Sequence, residues 1–442
     1  MDVTAPTPAV RIFPVLLVNF IGMLGYSIIM PLLVFLVRDF GGNAFVYGIL
    51  GSTYPAFQLI GAPILGRWSD QIGRRRVLLV SQIGTFLAWI LFIVAITSPT
   101  ITFFELGAGD QAFLMTLPLL LLFLARALDG LTGGNVSVAN AYLSDISTKA
   151  NRKANFGKMA SSTSLGFILG PAIASLLSGT ESGVLLPVMA AALISLTAIA
   201  VIYRLLPESK SDVVANNLPD MRLRKLFSVE IKECYEKESC PDLSFRGIVR
   251  LPHVSLLYVV YFMTFLGFSF FYAGFPLYAS GILNWTPGQL GTFFTVSSLV
   301  MVVFQGPVLT YLSNRVSDSF LVSVGSVLIS ANFFLITLGT DFWIFTAVVL
   351  MAMGNGLMWP SFLSILSNSG TPGIQGTIQG YANSVGSSAS ILGLIFGGIL
   401  MGRFGPTVFV ISGFLFILLF GLSFLLGKAE REMNDTRPKA DG

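Results

Sequence analysis

LMTLPLLLLFLARALDGLTGGNVSVANAYL, residues 114–143, is the stretch whose reading decides the fold. Arg126 and Asp129 are its only charged residues, and its apolar residues run on without the alternation of a strand that has one wet face. About 20 apolar residues in a helix cross the hydrocarbon core of a bilayer. Backbone groups in lipid must bond within their own segment or close a barrel. A long apolar run without alternation therefore reads as a transmembrane helix.

Runs of the same kind lie on either side. In chain order the twelve fall at roughly 12–37, 45–65, 77–96, 113–143, 156–177 and 183–203, then 255–279, 288–312, 320–338, 342–366, 376–401 and 406–426. The first is too long for a signal peptide, and no small-residue cleavage site follows it. Composition agrees: 54% of residues are hydrophobic, 11% are charged and the mean hydropathy is +0.79, whereas soluble domains carry about 25% charged residues. With both termini cytoplasmic, all but three of the 26 Lys and Arg fall on the cytoplasmic side; Arg38 and Arg403 lie outside and Arg126 lies in the membrane. The net charge of +4 thus follows from topology and gives no reason to expect nucleic acid. The expectation is an all-α integral membrane protein, a monomer in a plasma membrane or bacterial inner membrane.

Residues 207–252 break the apolar pattern with as many acidic as basic side chains and link six spans to six. FSVEIKECYEK within them has the pattern of a short surface helix, although a solvated tether is the simpler reading. Cys234 and Cys240 in that loop are expected to be reduced thiols; neither a metal nor another cofactor is expected. His253 opens the seventh span at the membrane edge. The expected organisation is a six-helix bundle at 1–206, a cytoplasmic linker at 207–253, a second six-helix bundle at 254–427 and a cytoplasmic tail at 428–442. The halves repeat weakly: AYLSD at 141–145 answers SILSN at 364–368, Gly157 answers Gly380 and Gly170 answers Gly393, whereas APILGRWSD at 62–70 answers GPVLTYLSN at 306–314 with a longer offset. Two similar bundles suggest a pseudo-two-fold axis along the membrane normal with a substrate site between them.

Arg126 and Asp129 share a face at i, i+3 near the bilayer centre. Gly133, Ser137 and Asn140 extend that face. Each charge at this depth costs about 2.5–3.5 kcal/mol on insertion scales, so such groups face a cavity or a partner. Asp129 is the only carboxylate placed deep in the membrane, which makes it the candidate proton carrier. Burial disfavours its charged form and the guanidinium favours it. A permanent ion pair that merely holds the fourth span in register is the competing reading.

GRWSDQIGRRR at 66–76 resembles the signature loop of the major facilitator superfamily through Gly66, Asp70, Gly73, Arg74 and Arg75, with Gln71 in place of the usual basic residue. On this reading Gly66 permits close helix approach and Gly73 a tight turn. Asp70 would lie against a helix N-terminus of the other half, near Gly373 to Gly376, and Arg74 and Arg75 would pair with Asp145, latching the halves on the inner side. The second copy has Asn314 where the first has Asp70. Arg126 resembles the cavity-facing arginine of the family's fourth span, and ARALDGLTGGNVSVANAYLSD is similar to tetracycline-resistance-type exporters among the drug:proton antiporters. SLGFILGPAIASLLSG at 164–179 resembles the antiporter motif through Gly166, Gly170 and Pro171, with ordinary helix packing as the alternative. The tetracycline exporters carry an acidic residue in the first span, and NFIGMLGYSIIMP at 19–31 has none. The resemblance therefore does not extend to tetracycline as substrate.

The family lines its cavity with spans 1, 4, 7 and 10. That implies Asn19, Tyr26, Arg126, an aromatic stripe of Tyr261, Phe265, Phe268 and Tyr272, and Asn355 with Trp359; Gln58, Gln305 and Asn383 are further contacts. Such a lining, mostly apolar and aromatic, suits an amphipathic or hydrophobic organic molecule better than a sugar or a nucleotide. The expected function is a proton-coupled antiporter exporting lipophilic or drug-like compounds by alternating access. Import of a small organic anion on Arg126 is the first alternative and a transporter-like sensor or scaffold the second. An enzyme is not expected, because no phosphate-binding glycine loop, metal cluster or nucleophile with a base stands in the sequence.

Overall fold

The computed structural model describes residues 12–106, 112–133, 135–148, 151–180, 183–209, 245–313, 315–369 and 375–435. Helix dominates. In order the chain forms α1 (Phe13–Ile29), α2 (Leu33–Asp39), α3 (Ala44–Ile72), α4 (Arg74–Thr97), a hairpin of β1 (Thr102–Leu106) and β2 (Phe113–Thr116), α5 (Leu117–Thr132), α6 (Asn135–Asp145), α7 (Arg152–Ser178) and α8 (Leu185–Leu205). There follow the short α9 (Phe245–Val249), α10 (Val254–Gly281), α11 (Pro287–Val303), a π-helical turn at Phe304–Val308, α12 (Leu309–Ser313), α13 (Asp318–Ile336), α14 (Asp341–Ser367), α15 (Gln375–Phe404) and α16 (Thr407–Asp435). Cys234, Cys240 and the FSVEIKECYEK segment lie outside the described residues.

Among the described residues nine helices are long and apolar enough to cross a membrane, and ten if α1 and α2 count as one span bent by 41°. The bend falls at Met30–Leu32, where Pro31 lacks the N–H that would continue the helix. Of the twelve expected spans, those at 45–65 and 113–143 are the two outside this set. The first, α3, carries Ser52, Thr53, Tyr54 and Gln58 along its length. The second departs from expectation more sharply. Residues 113–116 are a strand, so the chain is not wholly α-helical, and the helix breaks after α5 at Gly133. Thr116 caps α5, accepting from the Leu119 N–H at 3.4 Å, and Pro118 stands in the first turn, where a missing N–H costs nothing.

The chain divides into two compact units. One contains Met1–Gly42, Thr53–Leu226 and Pro287–Thr295; the other contains Asn43–Ser52, Phe227–Thr286 and Val296–Gly442. Inside the first, α1 packs on α7 and α8, and α4 packs on α5 and α8. Inside the second, α10 packs on α15 and α16, and α13 packs on α14 and α16. The four pairings are the same once each helix is exchanged for its repeat partner, so the weak sequence repeat is also a repeat of neighbours. Small residues make the tightest approaches. In the first unit a Cβ at Gly170 would overlap Ser27 of α1, and one at Gly291 would meet the Pro171 carbonyl at 2.8 Å. In the second, a Cβ at Gly48 would lie 2.5 Å from the Leu394 carbonyl, and Gly398 faces it with the same tightness toward Ala44.

Candidate functional site

In the first unit the expected charge pair exists. Arg126 is 3% exposed, and its Nη1 lies 3.7 Å from Oδ2 of Asp129. That separation is an ion pair without a hydrogen bond. Thr85 of α4 stands beside the Asp129 carboxylate. Arg126 instead lays its guanidinium over the ring of Tyr54, 4.8 Å from the centroid. Tyr54 packs at 5.2 Å on Tyr26, which meets Phe167 edge-on at 6.2 Å. Gln58, one turn beyond Tyr54, donates to the Tyr54 hydroxyl at 3.2 Å and to the Gly133 carbonyl at 3.1 Å, tying α3 to the end of α5. One donor in this cluster is left over: Nε of Arg126 is buried and has no hydrogen-bond partner among the described residues. A buried unmatched donor on a cation costs free energy, and it offers its N–H to any acceptor that can reach it.

Asn19 falls elsewhere. Its Nδ2 points at Ser162 and Thr163, both at 2.8 Å, and at the Met159 carbonyl at 3.3 Å, inside the α1–α7 contact. Gly166 and Gly170 of the antiporter-like motif sit in that same contact: the Gly166 carbonyl accepts from Ser27 at 2.9 Å. Pro171 faces α11, where Ser175 donates to the Gly288 carbonyl at 2.7 Å. Of the face expected to run on from Asp129, Asn140 is exposed, and the side chain of Ser137 is outside the described set.

The loop after α3 is a single residue, Gly73, at φ 102, a conformation glycine adopts without strain. Arg74 pairs with Asp145 as expected, Nε to Oδ2 at 3.0 Å. Arg75 does not. It donates to the Tyr203 carbonyl at 2.6 Å and the Ile202 carbonyl at 3.4 Å, because the last carbonyls of α8 are unpaired within their own helix and lie within its reach. Among the described residues, a Cβ at Gly66 would meet nothing within 4 Å. The side chain of Asp70, Asn314 and residues 370–374 lie outside the described residues.

In the second unit the aromatic expectations converge. Tyr261 stacks on Phe265 at 4.9 Å, and both meet Trp359 edge-on at 5.3 Å. The Tyr261 hydroxyl donates to Oδ1 of the exposed Asn383 at 2.8 Å, joining α10 to α15. Phe268 packs instead on Phe416 at 5.5 Å, and Tyr272 is exposed, its carbonyl accepting from Tyr47 at 3.3 Å. Asn355 contacts the Met301 sulfur at 3.2 Å, and Gln305 lies in the π-helical turn. His253 caps α10 at φ 65, and its Nε2 lies 3.0 Å from Glu432.

The sequence profile of the Major Facilitator Superfamily matches residues 15–394 and, in a second match, residues 257–441. The chain belongs to the major facilitator superfamily. This facilitator is therefore a multi-pass integral membrane transporter, and its relatives are transporters too. It is 27% identical to the tetracycline resistance protein, class D, of Salmonella ordonez over 421 residues, 93% of this chain and 96% of that one. It is 24% identical to multidrug resistance protein 2 of Bacillus subtilis, covering 94% of each. The crystal structure of the human organic anion transporter MFSD10 (TETRAN) aligns with a TM-score of 0.65 at 21% identity, over 95% of this chain and 100% of that one, which shows the shared fold.

Two residues that sequence reasoning missed cap helices, one at the signature loop and one at the start of α13. Glu208, just past α8, receives the first N–H groups of α4 on its two oxygens, Arg74 at 2.7 Å and Arg75 at 3.2 Å. Glu430 of α16 does the same for α13, receiving Asp318 at 3.2 Å and Ser319 at 3.0 Å. A carboxylate at a helix N-terminus meets both unpaired donors and the positive end of the dipole. The signal was an acid at the close of the last span of each half; its partner, far away in sequence, was not readable.

Proposed function

We propose that this transporter is a proton-coupled antiporter that exports lipophilic or drug-like organic compounds by alternating access. Twelve spans form two six-helix bundles, 1–206 and 254–427, joined by the linker at 207–253, with the tail at 428–442 and both termini in the cytoplasm. The broken α5–α6 segment and α3 supply the spans that complete twelve. The protein works as a monomer in a plasma membrane or bacterial inner membrane. The observation that carries this reading is the Arg126–Asp129 pair: the guanidinium buried, the carboxylate 13% exposed, 3.7 Å between them, and one guanidinium donor without a partner among the described residues.

Protonation of Asp129 from outside breaks its pairing with Arg126 and displaces substrate outward. The inward-facing form releases the proton, and substrate from the cytoplasm then competes for the same site. Tyr26, Tyr54 and Gln58 in one bundle, with Tyr261, Phe265, Trp359 and Asn383 in the other, supply apolar and aromatic surface with few polar contacts, which suits amphipathic cargo. Asp70 with Arg74, Arg75, Asp145 and the added Glu208 forms the inner latch.

Purified protein in vesicles with an imposed pH difference tests this. Asp129→Asn should lose pH-driven accumulation and keep substrate-for-substrate exchange. Unchanged pH coupling in that variant would remove Asp129 from the role.

A second reading has its own observation. The unmatched Nε of Arg126 offers a carboxylate one edge of the guanidinium fork, and the human relative of the same fold is named an organic anion transporter. Import of an organic anion would show as loss of uptake in cells lacking the protein; export shows as gained drug sensitivity.

A further inference from the structure

The hairpin between α4 and α5 carries side chains that the helices do not cover. Its register pairs Phe104 with Met115 and Leu106 with Phe113, so these four apolar residues share one face of the ribbon. Glu105 and Leu114 pair on the opposite face, where Leu114 rests against Gly41. Phe104 and Leu106 are 49% and 48% exposed, and Ile101 and Phe103 beside them are exposed as well. An isolated two-stranded hairpin is marginal in water, yet this one is fixed at its base. The Leu114 N–H donates to the Gly41 carbonyl at 3.0 Å, the Thr116 hydroxyl to the Phe40 carbonyl at 2.8 Å and the Leu117 N–H to the Ile101 carbonyl at 2.8 Å.

Its depth follows from the helices it joins. The 24 residues of α4 extend about 36 Å at 1.5 Å per residue, enough to carry Thr97 to the far boundary of a hydrocarbon core about 30 Å thick. Near that end α4 presents Ile90 and Val94 outward, and α5, from its first turn on, presents Leu120 and Leu124. The ribbon therefore connects two lipid-facing helix ends, and its exposed Phe104 and Leu106 continue their chemistry.

We propose that this hairpin lies along the boundary between headgroups and acyl chains, with Phe104 and Leu106 toward the chains and Glu105 toward water. It anchors the α4–α5 end to the lipid surface. Anchoring there fixes the depth of α5, on which Arg126 and Asp129 sit about 14 Å and 18 Å in from Leu117 at 1.5 Å per residue.

The test places a nitroxide label on Phe104→Cys, Glu105→Cys or Leu106→Cys in a Cys234→Ser, Cys240→Ser background reconstituted in liposomes. Accessibility to oxygen, which partitions into acyl chains, is compared with accessibility to a water-soluble nickel chelate. Positions 104 and 106 should be several-fold more accessible to oxygen than to the chelate, with position 105 reversed. Preference for the chelate at all three positions overturns the proposal, and so does exclusion of both reagents or spin–spin broadening between copies, which would put protein on that face. A gentler change checks the same point: Phe104→Trp should add blue-shifted fluorescence quenched by brominated acyl chains. Unquenched, red-shifted added emission overturns it.

Discussion

The Arg126 guanidinium is held by a ring as much as by a carboxylate. The ion pair at 3.7 Å is loose, whereas the Tyr54 ring lies flat beneath the cation at 4.8 Å. A desolvated cation–π contact contributes up to about 2 kcal/mol. Tyr54→Leu should therefore weaken substrate-dependent transport by roughly tenfold to thirtyfold on the scale of about 1.4 kcal/mol per decade, while Tyr54→Phe, which keeps the ring and loses only the contact from Gln58, should stay within a few-fold. Transport assays on the two variants in parallel would check this, and equal losses would show that the hydroxyl matters more than the face. The pair itself was legible in the sequence because i, i+3 spacing is a local relation. Tyr54 and Thr85 were not, since each reaches the pair from another helix and only packing brings them there.

Among the elements, α4 and α13 start with their free N–H groups bound by a carboxylate delivered from the last helix of the same unit. Loss of a helix cap costs about 0.5–2 kcal/mol. Glu208→Ala and Glu430→Ala should each lower thermal stability by that order, and the double variant should show the sum, because the two caps share no partner. Thermal unfolding in detergent would measure both. Gly73→Ala should cost more than either. It places a side chain at φ 102 and sets its Cβ against the Glu208 carboxylate. Helix existence was legible from apolar runs, but the interruption of the fourth span was not. The pair at Gly133–Gly134 reads in sequence as a tolerated weakness, and the Gln58 that takes the Gly133 carbonyl at the end of α5 comes from another helix.

For the whole molecule, the basic residues set the orientation. The native thiols Cys234 and Cys240 offer a direct check: a membrane-impermeant maleimide should label them in inside-out vesicles and not in right-side-out ones. Labelling from the outside would reverse the topology. The span pattern and the half-repeat could be read from the chain because lipid imposes helix on every long apolar run. The hairpin was missed for the same reason. ITFFEL and AFLMT are apolar enough to be counted with their neighbours, and residues 113–116 were absorbed into the fourth span. The repeat holds a trace of it. Segments before the hairpin match their partners at the longer offset, 62–70 with 306–314, and segments after it match at the shorter one, 141–145 with 364–368. Where the first half inserts the ribbon, the second joins α13 to α14 through Thr337–Thr340 alone. The second half thus demonstrates the minimal splice, and a chain cut back to four residues between α4 and α5 would keep every helix-to-helix neighbour while giving up its foothold on the bilayer.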